Sequence, residues 1–533
     1  MSLKKHIDNS RETALIGMDI PWLLNQWVQR VPDKEFMIWE PFDGLSEAYS
    51  YGRVQREVKQ LAAALTTVGV RSGDFVIIHL ENCPEFVLSW FACAELGAVA
   101  VSTNTRSVDR DMQYYSKHSQ AVCAITQPAF ASMVRRSCSP GIPVIVTDNN
   151  AGVAADIPND AIGTAFNELR TKAVDDLPDR PADALANLSV QFTSGTTSRP
   201  KAVLWTQANG IWAGKISASH MKLRHEDKTL IFMPMFHTNA QGYSMLATLW
   251  VGGTFVMQPK FSASRFWPIS LKYNLTWLST IPFAIKAISD QSVPEHSYRF
   301  WGTAAHLPGL KDKFGVAGMG WWGMTETLTH GIVTDIDQPG PHGTIGRVAP
   351  EYDIEIRTSD GKIAGVGERG LLFIRGVRGV TLFKEYYGSP EANEKAFDTD
   401  GWFDTGDIIR IGTDGYLYFS DRDKDMLKVG AENVAASEIE SVILASGLVA
   451  ECAVVAQKHF MLDEVPVAFV IPLNMADVDL GVRLLSYCRD NLADFKVPFT
   501  VHVVGEFPRS TLEKVAKNEL RNRLSAIESQ SDL

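Results

Sequence analysis

Nine consecutive residues, Thr193-Ser194-Gly195-Thr196-Thr197-Ser198-Arg199-Pro200-Lys201, carry five hydroxyls, one glycine and two cations. A turn of that composition can aim backbone N–H groups and hydroxyls at one point while Arg199 and Lys201 add positive charge, as an oxyanion such as phosphate requires. The run before it, Leu188-Ser189-Val190-Gln191-Phe192, is β-prone, so the turn leaves a strand end. It is not a Walker A loop. Counted from Gly195, the second glycine would fall at position 200, which is proline, and Ala202 follows the lysine. Other stretches hold groups of the complementary kind. Gly320-Trp321-Trp322-Gly323-Met324-Thr325-Glu326-Thr327 places an aromatic pair before a hydroxyl and a carboxylate, and Glu326 is a hard oxygen ligand suited to Mg²⁺. Gly401-Trp402-Phe403-Asp404-Thr405-Gly406-Asp407 ends on a carboxylate, an acceptor of hydrogen bonds.

The elements that must position these groups follow from the hydrophobic pattern. Val54, Val58, Leu61 and Leu65 recur at helical spacing and Gly69 stops that helix. Phe75-Val76-Ile77-Ile78 reads as a buried strand, Pro84 to Leu96 as a helix, and Ala98 to Val101 as a strand. A helix over Asp109–His118 and a strand over Ala121–Ile125 continue the series. Such alternation predicts a parallel sheet covered by helices on both faces. Residues 150–185, rich in Ala, Asp, Pro and Asn, read as a surface connection. Beyond the loop, Thr229–Met233 is a strand ending in Pro234-Met235-Phe236-His237, and Ile354–Arg357 and Gly370–Arg375 alternate as half-exposed strands do. Near the C-terminus Glu438–Leu444 starts a helix, and 450–456, 465–472 and Val501–Val504 are β-prone.

Length and composition narrow the function. At 533 residues and 45% apolar the chain can bury a large core and exceeds one ordinary domain. A net charge of −11, with no offsetting Lys/Arg cluster, argues against nucleic acid as a partner. The six cysteines show no C-x-x-C spacing and read as reduced thiols rather than a zinc site or disulfide framework. No apolar run is long enough to span a membrane, the N-terminus has no apolar signal region, and a cytoplasmic location is expected.

The motif Thr-Ser-Gly-Thr-Thr-x-x-Pro-Lys at 193–201, with those at 320–327 and 401–407, resembles the adenylate-forming superfamily of acyl- and aryl-CoA ligases, adenylation domains and luciferases. The likeness covers nearly the whole chain, and the stretches around Tyr243-Ser244, Gly252-Gly253-Thr254 and 261–267 are similar to the crotonobetaine/carnitine-CoA ligase branch. Its implications are written as expectations. The fold is α/β: a large N-terminal domain, 1–422, of helix-covered parallel sheets plus a β-rich segment, then a small mobile α+β lid, 423–533, hinged at Lys424. Thr193, Ser194, Gly195, Thr196, Thr197 and Lys201 would hold ATP phosphates; Ala304, Ala305 and Trp322 would face adenine. Thr325 would reach a phosphoryl oxygen, Glu326 would hold Mg²⁺, Asp407 would take the ribose diol, and Phe419 and Arg422 would lie near the nucleotide. His237 would border the substrate carboxylate, and Lys428 and Gly430 would line the CoA thiol site. Lys514, in register with Pro508-Arg509, would be catalytic in the adenylation step. Departures are Ser198 and Ala202 in place of glycines, Glu513 in place of the glycine before Lys514, and Trp322 in place of tyrosine.

The function implied is an ATP-dependent acid–CoA ligase acting through an acyl-AMP, with a small-molecule carboxylic acid, ATP, Mg²⁺ and CoA as its molecules and a homodimer as one candidate assembly. Two rivals stay open at this point: a stand-alone enzyme loading a carrier-protein phosphopantetheine, and a non-catalytic ATP-binding relative. The absence of an Asp near residue 237 speaks against an amino acid substrate.

Overall fold

A computed structural model describes residues 15–156, 164–170, 177, 180–193, 200–307, 309–358, 360–422, 426–430, 432–474, 477–508, 515, 517 and 519–524. The chain divides into a large unit (Met1–Thr105, Met112–Phe192, Ala202–Asp421) and a small one (Arg106–Asp111, Thr193–Lys201, Arg422–Leu533).

In the large unit the sequence alternation becomes an eight-stranded sheet. Its order runs from Glu385–Tyr386 through Lys201–Thr206, Asn187–Thr193, Val99–Ser102, Phe75–His79, Cys123–Thr126 and Val144–Val146 to Thr164–Ala165. The pairs from Asn187–Thr193 to Thr164–Ala165 are parallel. Phe75–His79 is buried at every position, as a strand covered on both faces must be. The helix Tyr51–Thr67 is capped by Ser50, whose hydroxyl accepts the Arg53 N–H, and it buries Val54, Val58, Leu61 and Leu65. The chain then reverses at Gly69, with φ +99°.

A nine-stranded sheet holds the second half of the unit, and its central strands, Glu35–Trp39 to Ala317–Gly323, run parallel. The helix Pro84–Leu96 is buried almost all round, which fits a helix within the core rather than on a surface. Its Phe91 meets Phe36 of the nine-stranded sheet edge-on at 6.0 Å, so one core serves both sheets. A four-stranded sheet, Asp353–Arg357, Arg369–Arg375, Trp402–Ile411 and Leu417–Arg422, antiparallel across its first three strands, is the predicted β-rich segment. The small unit has its own five-stranded sheet and a core of Leu427, Val429, Ile439, Ile443, Val454 and Val470.

Two expectations are corrected. Residues 150–185 are more than a surface connection: Thr164–Ala165 adds a parallel strand beside Val144–Val146, and the helix Phe166–Arg170 buries Phe166 and Leu169. Two apolar residues in a polar stretch were enough to join the core. The strand expected over Thr229–Met233 stops at Ile231, because Met233 and Met235 are held in a turn by Asn82, which donates to the Met233 carbonyl and accepts the Met235 N–H.

Candidate active site

The strands either side of the 193–201 loop deliver polar side chains into an otherwise apolar interior. Gln191, two residues before Thr193, donates from Nε2 to Gln241 Oε1 at 3.2 Å. Gln241 Nε2 in turn donates to Ser102 Oγ at 3.0 Å and to the Met235 carbonyl at 2.6 Å. The Thr238 hydroxyl lies 2.8 Å from Gln191 Oε1 and 3.1 Å from Thr325 Oγ1. Gln191, Thr238 and Gln241 are all buried, so this network fixes the Thr325 hydroxyl relative to the strand that enters the loop. Thr238 and Gln241 sit at the start of a π-helix, Asn239–Leu246, a rare form that often marks functional sites. Gly242 within it has no alternative: a Cβ there would stand 2.8 Å from the Leu328 carbonyl oxygen.

Thr325 and Glu326 form a single 3₁₀ turn after the strand Ala317–Gly323. Three donors from elsewhere in the large unit hold it. The Trp205 indole, on the strand leaving the loop, donates to the Thr325 carbonyl at 2.9 Å, and the Phe383 N–H donates to the Glu326 carbonyl at 2.9 Å. The Tyr386 hydroxyl donates to Glu326 Oε1 at 2.9 Å. Both side chains are buried, and burial, with the Glu326 charge beside it, pushes the Tyr386 phenol well above its ordinary pKa and keeps it an O–H donor. The chain then doubles back at Leu328, whose φ is +68°, with the Thr329 N–H donating to the Thr327 carbonyl at 2.7 Å. A three-residue turn of this hand on a non-glycine residue is rare and strained.

Trp322 and Asp407 meet directly. The indole Nε1–H donates to Asp407 Oδ2 at 2.8 Å in a buried contact, and the Asp407 N–H donates to Thr405 Oγ1 at 3.2 Å. The tryptophan that replaces the family's tyrosine therefore spends its donor on the carboxylate expected at the ribose. Each carboxylate oxygen has two lone pairs, so acceptor capacity remains for a diol. Close backbone approach frames this side. A Cβ on Gly320 would stand 2.3 Å from the His306 nitrogen, and one on Gly302 would overlap the Trp321 ring. Ala304 is exposed and Ala305 half-buried, directly after the strand Phe300–Thr303. Phe419 is half-buried against the large core, and Arg422 closes the strand Leu417–Arg422.

The remaining positions are placed separately. His237 is half-buried, packs on Phe236 at 4.6 Å, and accepts the Gln241 N–H at its carbonyl, which starts the π-helix. Trp277 and Trp301 are fully buried core residues. Thr193 ends its strand half-buried and Lys201 begins the next one half-buried. In the small unit Lys428 is exposed on the strand Met426–Val429, and Gly430 turns the chain at φ +62° while donating to the Leu462 carbonyl. Ser194, Gly195, Thr196, Thr197, the hinge residue Lys424 and Lys514 lie outside the described residues. Sequence reasoning missed Gln191, Gln241, Trp205 and Tyr386. Gln191 carried a signal, a long polar side chain in a strand that is buried at that position; the others carried none.

No group of three or more His, Cys, Asp or Glu able to hold a metal occurs among the described residues. The Glu326 carboxylate, buried and bonded through one oxygen to Tyr386, is a donor of the kind Mg²⁺ takes, since that ion uses one or two protein carboxylates and completes its shell with water and substrate phosphates. No helix among the described residues is long and apolar enough to cross a membrane.

Residues 24–387 match the model of the AMP-binding enzyme family, and 438–514 that of the AMP-binding enzyme C-terminal domain. The chain belongs to the AMP-binding enzymes. A crotonobetaine/carnitine–CoA ligase of Salmonella paratyphi A is 34% identical over 521 residues, covering 95% of this chain and 99% of that one. Among solved AMP-binding folds, o-succinylbenzoate CoA synthetase of Bacillus subtilis with a bound product analogue superposes with TM-score 0.82 at 24% identity over 95% of this chain and 99% of its own, a likeness of fold. The same Bacillus subtilis enzyme in complex with ATP and magnesium gives TM-score 0.66 at 25% identity, covering 93% and 98%.

Proposed function

We infer that the chain is an ATP-dependent acid–CoA ligase, forming an acyl-AMP with release of pyrophosphate and passing the acyl group to CoA. The likeness to a curated CoA ligase along 95% of the chain supports the activity. The observation that carries the site reading is that Thr325 is bonded to both strands flanking the 193–201 loop, through Thr238 and Gln191 on one side and the Trp205 indole on the other, while Trp322, three residues earlier, is bonded to Asp407.

Adenylation brings a carboxylate against a polyanion, so the site must cancel repulsion and stabilise charge developing at the α-phosphoryl group. Residues 193–201 would receive the β- and γ-phosphates, the Thr325 hydroxyl the α-phosphoryl oxygen, and Asp407 the ribose diol. Mg²⁺, held by Glu326, supplies charge neutralisation on the phosphates when bound. Trp322, with its N–H committed to Asp407, keeps its faces for stacking against the base. His237 would border the acid's carboxylate, and Lys514 would bridge that carboxylate and the α-phosphate. Lys428 and Gly430 would line the thiol path. No covalent enzyme intermediate is needed; positioning and electrostatics suffice.

Further parts of the reading are proposals of the same standing: a boundary at 422/423 with a hinge at Lys424, a cytoplasmic location, a homodimer, and a carnitine-like short acid as substrate, suggested by the relative's name. Pyrophosphate release measured across a panel of carboxylic acids, with and without CoA, tests the function. Release with no acid in the panel would leave a non-catalytic nucleotide binder, and transfer only to a phosphopantetheinyl protein would favour the carrier-loading enzyme. Two working arrangements of the small unit are proposed, one presenting Lys514 and one the Lys428–Gly430 segment. Lys514→Ala should abolish acyl-AMP formation and spare transfer from synthetic acyl-AMP to CoA in single-turnover assays. Equal loss of both would end that part of the proposal.

A further inference from the structure

The segment 376–393 runs as a strap along the large unit, bonded to its neighbours and closed on itself at Tyr386. On one side it pairs with the strand leaving the phosphate loop: Val203 and Leu204 stand opposite Tyr386 and Glu385, the Lys384 N–H donates to the Leu204 carbonyl, and the Tyr387 N–H donates to the Ala202 carbonyl. Thr206 Oγ1 donates to the Gly379 carbonyl, and Asn209 donates from Nδ2 to the carbonyls of Val380 and Leu382. On the other side Asn393 grips Tyr386, accepting its N–H at 2.7 Å and donating to its carbonyl at 2.8 Å. With its backbone held in this way, Tyr386 donates its hydroxyl to Glu326 Oε1 at 2.9 Å, and the neighbouring Phe383 N–H holds the Glu326 carbonyl.

Resting on the reading of Glu326 as the Mg²⁺ ligand, we propose that Tyr386 is the positioning residue that presets the Glu326 carboxylate for metal, and that the strap ties this preset to the strand leaving the phosphate loop. A hydroxyl bonded to one oxygen fixes the carboxylate's rotamer and orientation before the cation arrives. Groups bonded to a metal ligand in this way commonly set metal affinity by ten- to a hundredfold. A positioning residue acts through the group it holds, so loss of the Tyr386 hydroxyl should move the metal requirement and leave metal-free nucleotide binding alone.

The test is a Mg²⁺ titration of the full-length protein with a non-hydrolysable ATP analogue, read as the shift in melting temperature. Tyr386→Phe should raise the Mg²⁺ concentration at half-shift about tenfold or more, with each protein's shift taken from its own ligand-free melting temperature and with the metal-free analogue affinity unchanged. Glu326→Gln should raise the same midpoint, and adding Tyr386→Phe to it should change nothing further. An unchanged midpoint in Tyr386→Phe while Glu326→Gln shifts it overturns the positioning role and leaves the Glu326 reading standing. An unchanged midpoint in Glu326→Gln overturns both. Additive shifts in the double variant also overturn the proposal, since Tyr386 would then act elsewhere. Should Tyr386→Phe not fold, Asn393→Ala keeps the hydroxyl but releases the Tyr386 N–H and carbonyl, and an unshifted Mg²⁺ midpoint there overturns the proposal equally.

Discussion

Asp407 and Trp322 show how one side-chain exchange redistributes hydrogen bonds. A phenol in the tryptophan's place would offer an O–H at a different reach; the indole N–H instead lies 2.8 Å from Oδ2 of a buried carboxylate. Hydrogen bonds to charged groups contribute about 1.5–3 kcal/mol. Trp322→Phe should therefore weaken ATP binding by about tenfold, chiefly by letting Asp407 turn from the ribose. Asp407→Ala should weaken it too, and the double variant should lose less than the sum, because both act through one carboxylate. Calorimetric titration of ATP into the four proteins checks this; strict additivity would separate the two residues.

At the scale of elements, two glycines let strands approach their neighbours where a side chain would not fit, one an aromatic ring and the other backbone. A Cβ on Gly302 would lie 1.6 Å from the Trp321 ring, so Gly302→Ala forces an indole to move and should cost about 1–3 kcal/mol. Pairing it with Trp321→Leu should recover part of the loss. Gly320→Ala meets backbone on two sides, His306 N at 2.3 Å and Thr344 O at 2.7 Å, and should be more damaging, with no side chain able to yield. Differential scanning calorimetry ranks the three. The elements themselves were legible because periodicity reports burial: Val54, Val58, Leu61 and Leu65 gave their helix, and the all-apolar Phe75–Ile78 gave a strand covered on both faces. The motifs at 320–327 and 401–407 were legible by residue type. What stayed hidden was long-range. Tyr386 lies 60 residues from Glu326 and Gln241 lies 50 from Gln191, and no local pattern records a hydrogen bond across such a distance. The helix Phe166–Arg170 was missed because two buried residues do not establish a period.

Across the whole molecule, buried histidines make stability depend on acidity. His79 is fully buried and burial lowers its pKa to about 3; His330, buried between Trp321 and Tyr243, is lowered well below its ordinary value by burial, with His220 adding to it. An unfolded histidine titrates near 6.5. Below that pH the unfolded chain takes up protons that the folded chain refuses, so stability is lost as pH falls from about 6.5 toward 3. Each such histidine contributes a slope of about 1.4 kcal/mol per pH unit in that interval. Thermal midpoints measured from pH 7 to 4 should fall steeply, and His330→Phe should flatten the fall. A variant as acid-sensitive as the parent would show that His330 is not among the groups responsible.

The bond from the Trp322 indole to Asp407 makes the protein its own optical probe. Indole emission responds to what its N–H touches, and a nucleotide arriving at Asp407 would alter that partner and cover the ring face. The chain has 13 tryptophans, so the total signal will be crowded. Subtracting the Trp322→Phe spectrum from the parent's isolates one fluorophore, and its change on adding ATP would let occupancy be followed in real time without dye or label.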